Sequence, residues 1–490
     1  MNVPRIVIAG TQSGVGKTTT SLAVMAGFKS LGYRVQAFKV GPDYIDPGYH
    51  GVVTGIPSHN LDAWLMGDQA VRWVFQENTR NCDIAVLEGV MGLFDGASGK
   101  TEEGSTAQIA KLLNAPVVLV LDARSLARSA AAMVLGYKNF DPDLTIAGVI
   151  LNRVASAGHF EILREAVESS ARVPVLGAIF RERQIHIPQR HLGLKTAVEN
   201  EEFRSCLKAL AEMIQPNPSL KRPGIDLLKM LELSRPVQEE QKKTEVPHPF
   251  FSIEKENSGM EFPAGVSEKV RIGIARDRAF SFYYQANLDF LISLGAELIP
   301  FSPLDDECLP EALDGIYFGG GFPEIYAQGL QDHEKMKAEV LSFIQNGFPV
   351  YAECGGLMYL TEEMEQKDGE VFKMAGALPG RVKMTEELQN FGYAEAALAK
   401  DCFLGRKGDS FRGHEFHYSR WNPEPASAVH EVKGKRGNPG RLEGYGTGHL
   451  LASYIHCHFL SYPERAAALI NAAQKKFVPV LRPPTRNKFT

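Results

Sequence analysis

Four nearly unbroken apolar runs punctuate the first 215 residues: 5–9 (RIVIA), 84–87 (IAVL), 117–121 (VVLVL) and 146–151 (IAGVIL). Runs of this length without polar alternation suit strands buried on both faces, as in a parallel sheet covered by helices. Helix-length amphipathic stretches lie between them, for instance 18–30 and 107–113. The pattern predicts a layered α/β domain over 1–215. Between 216 and 268 it breaks down: Pro216, Pro218, Pro223, Pro236, Pro247, Pro249 and Pro263 interrupt the chain, and 239–243 (EEQKK) is a charge run. That span reads as a linker with at most one helix, near 224–233. Alternation of strands and helices resumes at 270–275, 296–301, 315–318 and 349–352. The later residues, rich in glycine, tyrosine and alternating positions, predict added antiparallel strands. A second α/β domain over 269–470 and a tail over 471–490 follow, and no internal repeat relates the halves.

At 490 residues the chain exceeds what one hydrophobic core serves, in keeping with two domains. The formal charge of −5 offers no general attraction for nucleic acid or an anionic membrane, so any anion needs a local site. No apolar run approaches 18 residues, and the N-terminal strand leads into a glycine-rich loop rather than a cleavage site. The expectation is a soluble cytoplasmic protein with no nucleic-acid or membrane partner. Six scattered cysteines without a CxxC pair agree with a reducing compartment.

The loop 10–18 (GTQSGVGKT) follows the first strand and opens a helix, the context in which such a loop binds phosphate. Gly14 and Gly16 free backbone N–H groups for phosphate oxygens, and the helix N-terminus adds partial positive charge. Lys17 brings a full charge, Thr18 a hydroxyl for magnesium, and Thr19 extends the phosphate-facing first turn. Two strand ends carry acids: 39–47 (KVGPDYIDP) and 87–96 (LEGVMGLFDG). A carboxylate directly after an apolar strand holds magnesium beside phosphates, while a nearby lysine neutralises charge on the transferred group. Asp43 and Glu88 are therefore candidate metal ligands and Lys39 a candidate phosphate ligand, with ATP as co-substrate and Mg2+ as cofactor. The alternative is that Asp43 and Asp46 only shape a proline-rich turn.

The second domain carries 350–356 (VYAECGG), an apolar strand ending in Cys354 and two glycines, then a helix-like stretch. A sharp strand-to-helix turn exposes the sulfur, and the helix N-terminus favours the thiolate. A base is needed nearby, and 453–459 (SYIHCHF) supplies His456 and His458 on one face of an extended segment. A metal site from these two histidines lacks a third ligand.

The strings KVGPDYIDP, LEGVMGLFDG and IPQRHLGL (187–194) resemble the cobyrinic acid a,c-diamide synthase family, whose first domain is similar to dethiobiotin synthetase. The phosphate loop shares that relative's longer spacing: Gly10 lies one residue further from Gly16 than in the common GxxxxGK pattern. The resemblance covers residues 3 to about 200 and 270 to about 465. It implies a P-loop NTPase-like parallel-sheet domain followed by a class I glutamine amidotransferase-like α/β domain. It also implies nucleotide-base recognition by Asn152, for which a strand-end cap is the alternative. In the second domain it implies a catalytic pair of Cys354 and His456, with an oxyanion hole in 319–324 (GGGFPE) at Gly320 and Gly321. His458 falls where many amidotransferases have glutamate, leaving the third catalytic member open. Asp46, Arg190 and His191, and His414 and His417 from 412–419 (RGHEFHYS), are candidate substrate contacts, local structure being the alternative.

The implied reaction is ATP- and glutamine-dependent amidation of the a and c carboxylates of cobyrinic acid through acyl phosphates, in cobalamin biosynthesis. Ammonia passing between sites implies that the domains close on each other. Hydrogenobyrinic acid and nickel sirohydrochlorin remain alternative tetrapyrrole substrates, and a homodimer remains open. A partitioning-type ATPase switch is the reading from another class. Gln12, where such switches usually carry lysine, and the cysteine and histidine motifs weigh against it.

Overall fold

Seven strands form one wholly parallel sheet in the first half of the chain: β1 (Arg5–Gly10), β2 (Val35–Val40), β3 (His59–Leu61), β4 (Ile84–Gly92), β5 (Val117–Asp122), β6 (Ile146–Val154) and β7 (Val175–Phe180). Their spatial order is β3-β2-β4-β1-β5-β6-β7. The computed structural model describes residues 3–181, 201–234, 269–421, 428–434 and 440–475. The chain divides into two compact units, Met1–Gly259 with Tyr284–Ala286 and Met260–Tyr283 with Asn287–Thr490. All four apolar runs read from the first part are strands, buried throughout because helices cover the sheet. The three-residue β3 presents no apolar run, whereas β7 (VLGAIF) carries a six-residue run like that of β6 and was missing from the strands expected above.

Helix α1 (Lys17–Ser30) packs on this sheet through Leu22, Val24, Met25 and Phe28, beside Ile6 and Ile8 of β1 and Ile84 and Val86 of β4. Residues 216–234, assigned above to the linker, are ordered parts of the first unit. Asp226 N–H donates to Leu176 O of β7 at 2.7 Å, and Arg5 N–H of β1 donates to Ser234 O at 2.9 Å. Helix Leu227–Leu233 buries Leu227 and Met230 in the same core. The proline count misled because Pro216, Pro218 and Pro223 sit in turns that lead the chain back to the sheet. Residues 235–268 and 476–490 of the expected linker and tail lie outside the described residues.

In the second unit β8 (Val270–Ala275), β9 (Phe280–Phe282), β10 (Ala296–Phe301), β11 (Gly315–Phe318), β12 (Gly320–Gly321) and β13 (Val350–Glu353) follow in order. The main sheet runs β10-β8-β11-β13, then strand Leu450–Ser453, all parallel, with Tyr445–Gly446 antiparallel at the edge. The expected antiparallel additions are present. Strands Asn390–Leu398 and Ser410–His417 form the long pair of a five-stranded sheet that also takes in His456–Cys457. Among the described residues no helix is long and apolar enough to cross a membrane.

If helix Leu227–Leu233 belongs to the first core, Met230→Ala is expected to cost about 2–4 kcal/mol in chemical denaturation. An unchanged midpoint would place the helix outside that cooperative unit.

Candidate active sites

The loop after β1 is shaped for an anion. Gly16 stands at the N-terminus of α1 with φ 94°, a backbone that disfavours any side chain. A Cβ there would also lie 2.1 Å from the Asn152 amide nitrogen. The first turn of α1 contains no acid of its own to offset its partial positive charge. Lys17 Nζ donates to Gln12 O of the same loop at 3.3 Å, and Thr18 and Thr19 lie half-buried in the first turn.

Adjacent strands bring the acids and lysine together. Lys39 on β2 is in register with Glu88 on β4, which is in register with Ile8 on β1. Glu88 Oε1 accepts from Thr18 Oγ1 at 2.7 Å and from Lys39 Nζ at 3.0 Å, and its Oε2 contacts His50 Nε2 at 2.7 Å. Lys39 Nζ also pairs with Asp46 at 2.6 Å and donates to Gly89 O at 3.2 Å. Burial works against the Lys39 charge, but Asp46, Glu88 and Asp43 outweigh it and raise its pKa well above the usual lysine value. Burial likewise opposes the Glu88 carboxylate, yet Lys39, His50 and Thr18 hold its pKa far below the usual range.

This cluster alters the balance of roles read from the sequence. Lys39 is engaged by three acceptors, so a phosphate would have to displace one of them. Asp43 Oδ1 accepts from Ile45 N at 2.7 Å and Asp46 N at 3.1 Å, starting helix Ile45–Thr54. Asn60 clamps the same loop, donating to Gly41 O and Asp43 O at 2.8 Å. Asn152 donates to Val15 O at 2.7 Å and accepts from Arg153 N at 2.9 Å. Its amide supports the phosphate loop from within β6, two residues before the strand ends. His50 and Asn60 went unnoticed in the sequence; the signal for His50 was its i,i+4 spacing from Asp46 on one helical face. Arg190 and His191 lie outside the described residues.

In the second unit the cysteine turn is as sharp as its sequence suggested, but Cys354 is buried among apolar neighbours rather than exposed as expected. Cys354 has φ 46° and ψ −100°, a conformation rare for a side-chain-bearing residue, between β13 and helix Gly355–Leu360. Its N–H donates to Ser453 O at 2.7 Å, tying the turn to the neighbouring strand. The Cys354 side chain lies close enough to the buried His456 ring to raise its affinity for a proton. Burial opposes a charge on that ring, but Cys354 and Glu353 push its pKa up to about 10. Gly320 lies over the ring: a Cβ there would meet His456 Cε1 at 2.3 Å. A Cβ on Gly355 would meet Gly321 N at 2.9 Å, which puts that backbone group beside the cysteine turn. The arrangement suits nucleophilic attack with a nearby oxyanion donor.

The other histidines differ in their surroundings. His458 is fully buried, and its Nδ1 accepts from Leu460 N at 3.3 Å to cap the turn Phe459–Ser461. His417 Nδ1 contacts Ser419 O at 2.9 Å and its ring stacks on Tyr454 at 3.9 Å, so it is committed within this unit. His414 is half-buried and faces His456 across the strand pairing. Among the described residues no group of three or more His, Cys, Asp or Glu side chains is arranged for a metal ion.

Residues 6–194 match the CobQ/CobB/MinD/ParA nucleotide binding domain, and residues 271–464 match the CobB/CobQ-like glutamine amidotransferase domain. The two together define a carbon–nitrogen ligase that takes its nitrogen from glutamine. The chain is 45% identical over 481 residues to the cobyrinate a,c-diamide synthase of Dehalococcoides mccartyi, covering 97% of this chain and 99% of the relative. It is 43% identical over 477 residues to that of Archaeoglobus fulgidus, with coverage of 97% and 99%. It is 41% identical over 474 residues to that of Listeria innocua, with coverage of 96% and 100%. The chain belongs to the cobyrinate a,c-diamide synthase family.

Asn152→Ala is expected to raise KM about tenfold for ATP and GTP alike, because the lost hydrogen bond holds the loop. A selective loss of ATP over GTP would instead favour base recognition. Burial pushes His417 down to about 4 and His458 to about 3, below the usual histidine value. An unfolded chain then takes up protons that the folded one refuses below about pH 6.5. Thermal midpoints are expected to fall as pH drops from about 6.5 toward 4, with a shallower slope in His417→Phe; equal slopes would contradict it.

Proposed function

We propose that this protein amidates the a and c carboxylates of cobyrinic acid, using one ATP and one glutamine for each. The observation that supports this most strongly is near full-length identity to relatives bearing that name, across both domains. Matches in both domains favour it over a partitioning-type ATPase, which has no use for a glutaminase half.

In the second domain the Cys354 thiol passes its proton to His456 and the sulfur attacks the glutamine amide carbon. Backbone N–H groups near Gly320 and Gly321 stabilise the oxyanion, ammonia leaves with the proton, and water then frees glutamate from the thioester. In the first domain a substrate carboxylate oxygen attacks the γ-phosphorus of ATP, the bond to the β,γ-bridging oxygen breaks, and ADP leaves. Hydroxide leaves a carboxylate too poorly for direct amidation, whereas an acyl phosphate loses phosphate readily to ammonia. Gly14, Gly16, Lys17, Thr18 and Thr19 cradle the phosphates.

The oxygen donors of Thr18, Asp43 and Glu88 fit the hard cation Mg2+. Thr18 and Asp43 would hold it, with Glu88 taking part through the oxygen that already receives the Thr18 hydroxyl. Bound there, magnesium supplies positive charge against the transferred phosphoryl group. Lys39 keeps Glu88 oriented and its charge balanced. Asp46 completes that ion cluster, which offers an alternative to substrate contact.

The test supplies purified protein with MgATP, glutamine and cobyrinic acid, and follows ADP, glutamate and corrinoid mass. Two amidations are expected in wild type, none in Cys354→Ala with glutamine, and recovery of that variant with ammonium. Parallel reactions with hydrogenobyrinic acid and nickel sirohydrochlorin separate the substrates. Amidation of one of those and not of cobyrinic acid would reject the proposed substrate.

A further inference from the structure

We propose that Glu353, the residue directly before Cys354, is the positioning carboxylate of the glutaminase site, holding His456 in place and balancing its positive charge. The inference rests on the reading of Cys354 and His456 as nucleophile and base.

Glu353 ends β13 and is buried. Tyr351, two residues earlier on the same strand face, donates its hydroxyl to Glu353 Oε1 at 2.6 Å. Tyr317, paired with Tyr351 across β11 and β13, donates to Oε2 at 2.8 Å. Cys457 N–H donates to Oε1 at 2.9 Å. Burial first, and the carboxylate next, raise both tyrosines well above the usual phenol value, so each remains a donor. Three donors thus fix the carboxylate, and Oε2 lies 3.8 Å from His456 Nδ1. The Cys457 contact also anchors the backbone directly after His456. On the other side Asn287 donates to Cys457 O and accepts from Phe459 N, both at 2.8 Å.

The groups around His456 divide clearly. Cys354 and Glu353 raise its affinity for a proton. His417 lies near enough for its own charge to be disfavoured by His456, and His414 pairs across the strands. Cys457 and His458 follow in the chain; burial pushes the Cys457 thiol up and the His458 ring down, leaving both neutral at neutral pH. His458, two residues after the base, is turned into its cap. Glu353 thus places a carboxylate oxygen 3.8 Å from the ring nitrogen Nδ1.

At 3.8 Å the carboxylate acts through charge rather than a direct hydrogen bond. The proton leaves Cys354 Sγ for the His456 ring, which becomes positive against Glu353. The sulfur forms a bond to the amide carbon. The carbon–nitrogen bond then breaks, with the ring proton leaving on ammonia. Loss of the carboxylate weakens the ring's hold on its proton without touching glutamine.

The experiment measures glutamate release from glutamine between about pH 5 and 10, a range bracketing the histidine and cysteine pKa values, for wild type, Glu353→Gln and Cys354→Ala. Glu353→Gln is expected to lower kcat about 10- to 100-fold, with little change in KM for glutamine. The alkaline limb of its profile is expected at lower pH, because the ring deprotonates sooner. An inactive Cys354→Ala beside a Glu353→Gln whose alkaline limb has not moved overturns the proposal, whatever its kcat. Activity retained by Cys354→Ala overturns the underlying site reading instead. Should Glu353→Gln fail to fold, Tyr351→Phe decides: a lower kcat with a shifted alkaline limb supports the role, and a wild-type profile overturns it.

Discussion

A parallel strand whose carboxyl end leads into a helix presents unpaired backbone N–H groups and a positive dipole end there, and both candidate sites depend on that constraint. At β1 the turn runs through Gly16 into α1 and suits phosphate. At β13 it runs through Cys354 into Gly355–Leu360 and sets the sulfur at the apex. In the second case a residue with a side chain takes the positive φ itself, because the chemistry needs the sulfur at the apex. The strain is held by the Cys354 N–H bond to Ser453 O and by close packing of Gly355 and Gly356 against the turn around Gly319–Gly321.

Charge is managed similarly in the two units. Each buries a glutamate on a central strand and surrounds it with donors: Thr18, Lys39 and His50 on Glu88, and Tyr317, Tyr351 and the Cys457 N–H on Glu353. A buried carboxylate is costly unless such donors satisfy it, and once satisfied it is a fixed negative charge in a region of weak screening. Beside a phosphate loop that charge is suited to a cation. Beside His456 it is suited to an imidazolium.

These networks are also why single residues are poor units of interpretation. Lys39, expected to meet phosphate, is also held by three acceptors, and Asn152, expected to read the base, also donates to Val15 O. His417 looks like a substrate contact in the string RGHEFHYS, yet its ring stacks on Tyr454 inside the amidotransferase unit.

The sequence alone determined the elements whose signals are local. Unbroken apolar runs specified β1, β4, β5 and β6, glycine spacing specified the phosphate loop, and an apolar strand before Cys-Gly-Gly specified the cysteine turn. These features follow from backbone sterics and burial within a few residues, so they are legible without partners. Tertiary structure decided what depends on strand order and register. Only the placement of β2 beside β4 joins Lys39 to Glu88, and only the pairing of β11 with β13 sets Tyr317 beside Tyr351 on Glu353. Likewise 216–234 joined the first core despite its prolines, because Met230 and Leu227 found apolar partners far away in sequence. Residues brought together across tens or hundreds of positions leave no local pattern, so their chemistry emerged only once the sheets were assembled.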